Sequence, residues 1–120
     1  MAIIALRAEQ AADQRQITEA RYPAAGSAIL VVDQAGGNLG FAIAKAFLHE
    51  GASVAVNGRS PEHGAEALRL LDAGKRAIFI EGDMTRRADV ERTIEQTVEG
   101  FGKIDILVNN AGGLRSFGPI

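Results

Sequence analysis

Three short stretches carry residue types suited to holding a phosphorylated ligand. The apolar run at 104–108 is of strand length and ends in Asn109, Asn110, Ala111, Gly112 and Gly113. A buried strand there gives way to a loop whose backbone can approach a ligand closely. A second apolar run, at 28–32, is followed by Gly36, Gly37, Asn38, Leu39 and Gly40, which open a helix whose N-terminal amides suit a pyrophosphate. A third run, at 53–56, leads into Asn57, Gly58, Arg59 and Ser60, and both Arg59 and Ser60 can donate to a phosphate. Each stretch also has a plainer reading: a strand exit, a strand-to-helix turn, a solvated loop arginine. A lone Gly-rich turn is a weak motif, whereas two stretches far apart in sequence that meet at one crevice are a far more specific sign.

The elements that must position these residues alternate along the chain. Strands are expected at 28–32, 53–56, 77–80 and 104–108, with helices between them. Leu39, Ile43 and Phe47 fall four apart on one face of the first helix, and Gly51 closes it in the C-cap position. Ser60 and Pro61 give the second helix a capping hydroxyl and a proline in its first turn. Val90, Ile94, Val98 and Phe101 mark an amphipathic helix over 87–101, with Thr85 as its expected N-cap and Gly102 as its end. Helical crossovers of this length require parallel strands covered on both faces. The expected fold is therefore α/β, half of a doubly wound, Rossmann-like sheet in the order 3-2-1-4. The switch point lies between the first and fourth strands, and ligands bind there at the carboxyl ends. Strand four is then an open, apolar edge that another segment must cover.

At 120 residues the chain has room for one domain, and 47% apolar with 23% charged residues is the balance of an ordinary globular protein. A net charge of -2 gives no basic field for nucleic acid. There is no Cys, and His49 and His63 lack ligand-like spacing, so no metal site is expected. The apolar opening of the chain is too short for a signal-peptide core and no stretch reaches membrane-span length, which makes a cytoplasmic location the default. Residues 3–21 are rich in Ala, Gln and Glu and are expected to be helical, either as a solvated extension or as a docked partner helix. The expected division is an extension over 1–26 and a dinucleotide-binding domain over 27–120.

From residue 28 to residue 112 the chain resembles the short-chain dehydrogenase/reductase family, whose fourth-strand signature Asn-Asn-Ala-Gly stands at 109–112. The family's phosphate-binding pattern, Thr-Gly-x-x-x-Gly-x-Gly, falls on Asp33, Gln34, Asn38 and Gly40, so one glycine of three is in register. Asn38 tolerates a left-handed backbone, Gly36 and Gly37 can re-route the turn, and Asp33 is the adverse change because a carboxylate repels a pyrophosphate. Asn-Gly-Arg-Ser at 57–60 is similar to the pattern of NADP-preferring members, which ranks NADP ahead of NAD. The resemblance places Asp83 and Met84 against the adenine, although Asp83 also suits a turn cap. It places Asn110, Ala111 and Gly112 along the ribose and nicotinamide, with Asn109 as a buttress of the turn after the first strand. The family's catalytic Tyr, Lys, Ser and Asn lie beyond its Asn-Asn-Ala-Gly signature. Here Tyr22 is the sole Tyr, no Lys follows Lys103, and no catalytic residue is expected in this chain.

Three readings follow. The chain is the cofactor half of an oxidoreductase acting on a small carbonyl or alcohol, completed by a further segment or subunit in a homo- or hetero-oligomer. Alternatively it is a non-catalytic relative that uses the fold for assembly, or a small nucleotide sensor.

Overall fold

In the computed structural model of the protein, residues 2–5, 25–34 and 39–110 are described. Runs of branched apolar residues set the strands β2 (Ala28–Asp33), β3 (Ser53–Gly58), β4 (Ala77–Glu81) and β5 (Ile106–Asn110), and a short strand β1 (Ala2–Ala5) precedes them. Every pairing is parallel, in the order β1-β5-β2-β3-β4. With β1 set aside, this is the expected 3-2-1-4 sheet.

The strand β1 corrects two expectations. Residues 2–5 were expected to lead into or lie within a helix, yet they pair with β5 from Ala2↔Ile106 to Ala5↔Asn109, and β5 is not an open edge. The physical reason is that an apolar edge strand offers unpaired N–H and C=O groups, and a four-residue apolar run satisfies them directly. The rest of the expected helical arm, residues 6–21, lies outside the described residues.

Among the described residues, three helices cover the faces: α1 (Leu39–His49), α2 (Pro61–Leu71) and α3 (Arg87–Phe101). On one face Ile29, Val31, Val54, Val56, Ile106 and Val108 pack against Ile43, Ala44, Phe47 and Leu48 of α1, with Leu68 and Leu71 of α2 at the margin. The other face gathers Leu30, Val32, Ala55 and Ile80 with Phe101, Ile104 and Leu107. Helix ends follow local chemistry. Ser60 accepts a bond from the His63 N–H at 3.2 Å and caps α2, while Gly51 (φ +91°) and Gly102 (φ +82°) supply the left-handed turns after α1 and α3.

α3 has the expected bounds and only part of the expected face: Val90 and Phe101 are half-buried, Phe101 against the core. Ile94 and Val98 are 45% and 41% exposed, and the buried residues are Thr93 and Thr97. Each threonine hydroxyl donates to the carbonyl four residues earlier at 2.7 Å, so it is buried without an unmet donor. Small side chains suit this face because the helix lies close to the sheet end; a Cβ on Gly82 would come within 3.1 Å of the Thr93 hydroxyl. The N-cap is Arg86, with no side-chain bond, rather than Thr85.

β5 also begins later than the apolar run suggests. Asp105 fixes it: its carboxylate accepts from the Ala28 N–H at 2.8 Å and its own N–H donates to the Ala28 carbonyl at 2.8 Å. The register then carries Asn109 and Asn110 into the sheet opposite Val32 and Asp33. No helix among the described residues is long and apolar enough to cross a membrane.

Candidate functional site

Parallel strands present their carboxyl ends together, so Asp33, Gln34, Asn57, Arg59, Asp83 and Asn110 gather at one end of the sheet. Strand alternation sorts them by face. Asp33 follows Ile29 and Val31 onto the α1 side, and Gln34 follows Leu30 and Val32 onto the α3 side.

On the α1 side, Asp33 accepts a hydrogen bond from Asn110 Nδ2 at 3.1 Å. Its carboxylate lies against Gly40, in the first turn of α1, where a Cβ would collide with it. Burial pushes the Asp33 carboxyl above the ordinary range, and the Asn110 bond offsets part of that rise. Asn110 is 1% exposed, and its Oδ1 has no hydrogen-bond partner among the described residues. This corner is therefore rich in acceptors.

On the α3 side, Gln34 joins four segments. Its Nε2 donates to Asn57 Oδ1 at 2.8 Å and to the Gly82 carbonyl at 3.1 Å. Its backbone N–H donates to the Asn110 carbonyl at 3.0 Å, and its carbonyl accepts from Arg59 Nη2 at 3.3 Å. Asn57 is fully buried and donates to the carbonyls of Ile80 at 3.1 Å and Gly82 at 3.3 Å. An asparagine without these partners would be costly at that depth.

The rim beside β3 and β4 carries separated charges. Arg59 is exposed there. Asp83 accepts from the Thr85 N–H at 2.9 Å and from the Thr85 hydroxyl at 2.7 Å, an arrangement that caps the turn. These bonds, with smaller help from Arg86 and Arg59, hold the Asp83 carboxyl below the ordinary range. The Asp83 N–H donates to Asp89 at 2.8 Å, and that bond is the main cause of the lowered pKa of Asp89. Met84 packs against the cluster of Leu30, Val32, Ala55 and Ile80. Besides capping α2, Ser60 donates its hydroxyl proton to Glu62 at 3.2 Å, so an acid stands one turn from Arg59 although none lies at the strand end.

Of the residues singled out from sequence, Gln34, Leu39, Gly40, Arg59, Ser60, Asp83, Met84 and Asn110 lie at or beside this end of the sheet. Gly36, Gly37, Asn38, Ala111 and Gly112 lie outside the described residues. The contact to the residue that ends β2 comes from Asn110, while Asn109 is exposed. The sequence reading missed Asn57 and Gly82 as parts of the site. The available signal was a polar side chain directly continuing the apolar run at 53–56. No cluster of potential metal ligands occurs among the described residues.

A dinucleotide makes two demands on such a site: donors at the head of the first helix, and a cation or polar rim for the ribose. Arg59 offers an exposed cation at the rim, next to Gly58, whose added Cβ would lie 3.2 Å from the Phe79 ring. Asp33 works against the first, although its raised pKa makes its charge easier to neutralise.

Comparison with known proteins points the same way. Residues 27–120 match the model of the short chain dehydrogenase family. An uncharacterised oxidoreductase of Thermotoga maritima is 42% identical over 85 residues, covering 70% of this chain and 33% of that protein. The L-fucose dehydrogenase of Oryctolagus cuniculus is 40% identical over 101 residues, covering 84% of this chain and 34% of the enzyme. Among solved structures, a 3-ketoacyl-(acyl-carrier-protein) reductase from Brucella melitensis, complexed with NADH, superposes with a TM-score of 0.66 at 28% identity, covering 80% of this chain and 41% of that one. The chain spans about a third of the length of the curated relatives it matches.

Proposed function

Because the chain belongs to the short-chain dehydrogenase family, we propose that it is the cofactor-binding part of an oxidoreductase that uses NADP(H) ahead of NAD(H) and acts on a small carbonyl or alcohol. The nicotinamide, when bound, gives or takes the hydride. This chain's residues bind and orient: the first turn of α1 at Leu39 and Gly40 faces the pyrophosphate, Arg59 the ribose phosphate, and Asp83 and Met84 the adenine side. Gly36, Gly37, Asn38, Ala111 and Gly112 complete that assignment by sequence position. The Brucella reductase with bound NADH supports a nicotinamide cofactor for the fold.

The observation that carries the NADP preference is Arg59, exposed at the rim just past β3, where the strand end itself, Asn57 and Gly58, offers no carboxylate to ribose hydroxyls. Arg59→Asp is expected to weaken NADPH binding at least tenfold more than NADH binding in a fluorescence titration. Equal losses for both would remove Arg59 from the ribose phosphate.

Proton transfer belongs, on this reading, to a completing segment or subunit, since no Tyr-x-x-x-Lys occurs in the sequence and the chain alone is expected not to turn over. A second reading, a non-catalytic subunit that keeps the fold for assembly, draws on one observation: the Asp33 carboxylate packed against the head of α1. Absence of binding by both NADPH and NADH would favour it.

A further inference from the structure

We propose that the Gln34 side chain is a latch across the nucleoside end of the crevice, held shut by Asn57 and Gly82, and that a bound nucleotide must displace it. The inference rests on the reading of the crevice as a dinucleotide site, and it concerns what this chain does before the ligand arrives.

Gln34 stands at the first residue beyond β2, and its side chain runs sideways across the ends of the neighbouring strands rather than outward. Its amide reaches Asn57 Oδ1 on β3 at 2.8 Å and the carbonyl of Gly82, just past β4, at 3.1 Å. A base extending from β2 toward Asp83 and Met84 meets that amide on its way, because ligands of open α/β sheets lie outside the strand ends at the switch point. The latch has a built receptor. Asn57 is fully buried, its Nδ2 spent on the carbonyls of Ile80 and Gly82, so its Oδ1 faces Gln34 as an acceptor whose donor is the Gln34 amide. A ligand that moves Gln34 must therefore break two neutral hydrogen bonds and leave a buried acceptor to be satisfied again by ligand or water. The backbone of the same residue also meets the rim: Arg59 donates to the Gln34 carbonyl at 3.3 Å, while the Gln34 N–H is held by the Asn110 carbonyl at 3.0 Å, so the side chain can swing on a fixed backbone.

The test uses the full chain, with adenosine 2′,5′-bisphosphate and NADPH as probes, and compares it with Gln34→Met, which keeps the length of the side chain without its amide, and Gln34→Gly. Both variants are expected to bind the two probes on the order of fivefold tighter or more, the factor expected for removing a net pair of neutral hydrogen bonds. In the unaltered chain, the Gln34 side-chain NH₂ resonances, identified by their loss in the variants, should shift on saturation with adenosine 2′,5′-bisphosphate. Binding that is equal or weaker in both variants, or Gln34 resonances that stay in place at saturation, would overturn the latch while leaving the dinucleotide reading intact. No binding of either probe to any of the three proteins would overturn that reading, and the latch with it. Should Gln34→Gly fail to give a cooperative melt, Gln34→Met and the resonance shift decide.

Discussion

Asp33 shows how one half-buried carboxylate can make stability depend on pH. Its folded pKa is raised, first by desolvation and then partly lowered by the Asn110 bond. The sign follows: its favourable contribution is complete below the ordinary carboxyl value of 3.8 and is lost as pH rises through the higher folded value. Asp33→Asn removes the charge and brings a donor beside Asn110, whose Oδ1 lacks one. It is expected to stabilise the fold at pH 7 by on the order of 1 kcal/mol, with the gain vanishing below the ordinary carboxyl value, as read by urea denaturation at several pH values. A destabilised variant at pH 7 would mean that the Asp33 charge has a counter-ion. Asp105 has the opposite sign. The Ala28 N–H and then Lys103 hold its carboxyl low, so its contribution is present above the unfolded value and is lost as pH falls through the folded one.

At the scale of elements, packing overrides propensity at identifiable places. Gly64 in α2 lies on the face of the Phe79 ring, and a Cβ there would collide with ring atoms. Alanine is the better helix former by about 1 kcal/mol, yet overpacking costs about 1–3 kcal/mol, so Gly64→Ala is expected to lower the melting temperature. A raised melting temperature would show that the ring moves aside freely. The same competition explains what the sequence made legible. Strands β2 to β5 and helices α1 to α3 were readable because each is an apolar run or stripe bounded by Gly, Pro or a capping residue. The burial of Thr93 and Thr97 was not, because hydroxyls that bond back to their own helix count as polar in any periodicity. Nor was the place of Asn109 and Asn110 in β5, which is set by the Asp105 link to Ala28 and not by local preference. The places of Arg59 and Asp83 at the end of the sheet were readable from their positions after strand ends, whereas Asn57 and Gly82 are tied in there through contacts with Gln34.

For the whole molecule, β1 changes what shields the sheet. The sequence argument for an obligate partner rested on an open edge at β5, and β1 lies along that edge from Ala2 to Ala5. Among the described residues, the large apolar side chains still exposed are Leu70 on α2 and Ile94 and Val98 on α3. Replacing Ile3 and Ile4 with Pro removes two strand N–H groups and should release β1. The expected result is a larger weight-average mass in sedimentation than for the unaltered chain at equal concentration, because the freed β5 edge can pair between molecules. An unchanged profile would mean that β5 is guarded by something other than β1. The β1–β5 pairing also has a temporal side. Ala2 meets Ile106, so β1 docks against a strand that synthesis reaches about 5 to 20 s after it at ordinary rates. Closing so long a loop comes after local structure has formed. Pulsed hydrogen exchange during refolding should find the amides of residues 2–5 protected last, and until β5 is available the nascent chain carries an unpaired β1 that a chaperone, or a neighbouring chain on the same polysome, can reach first.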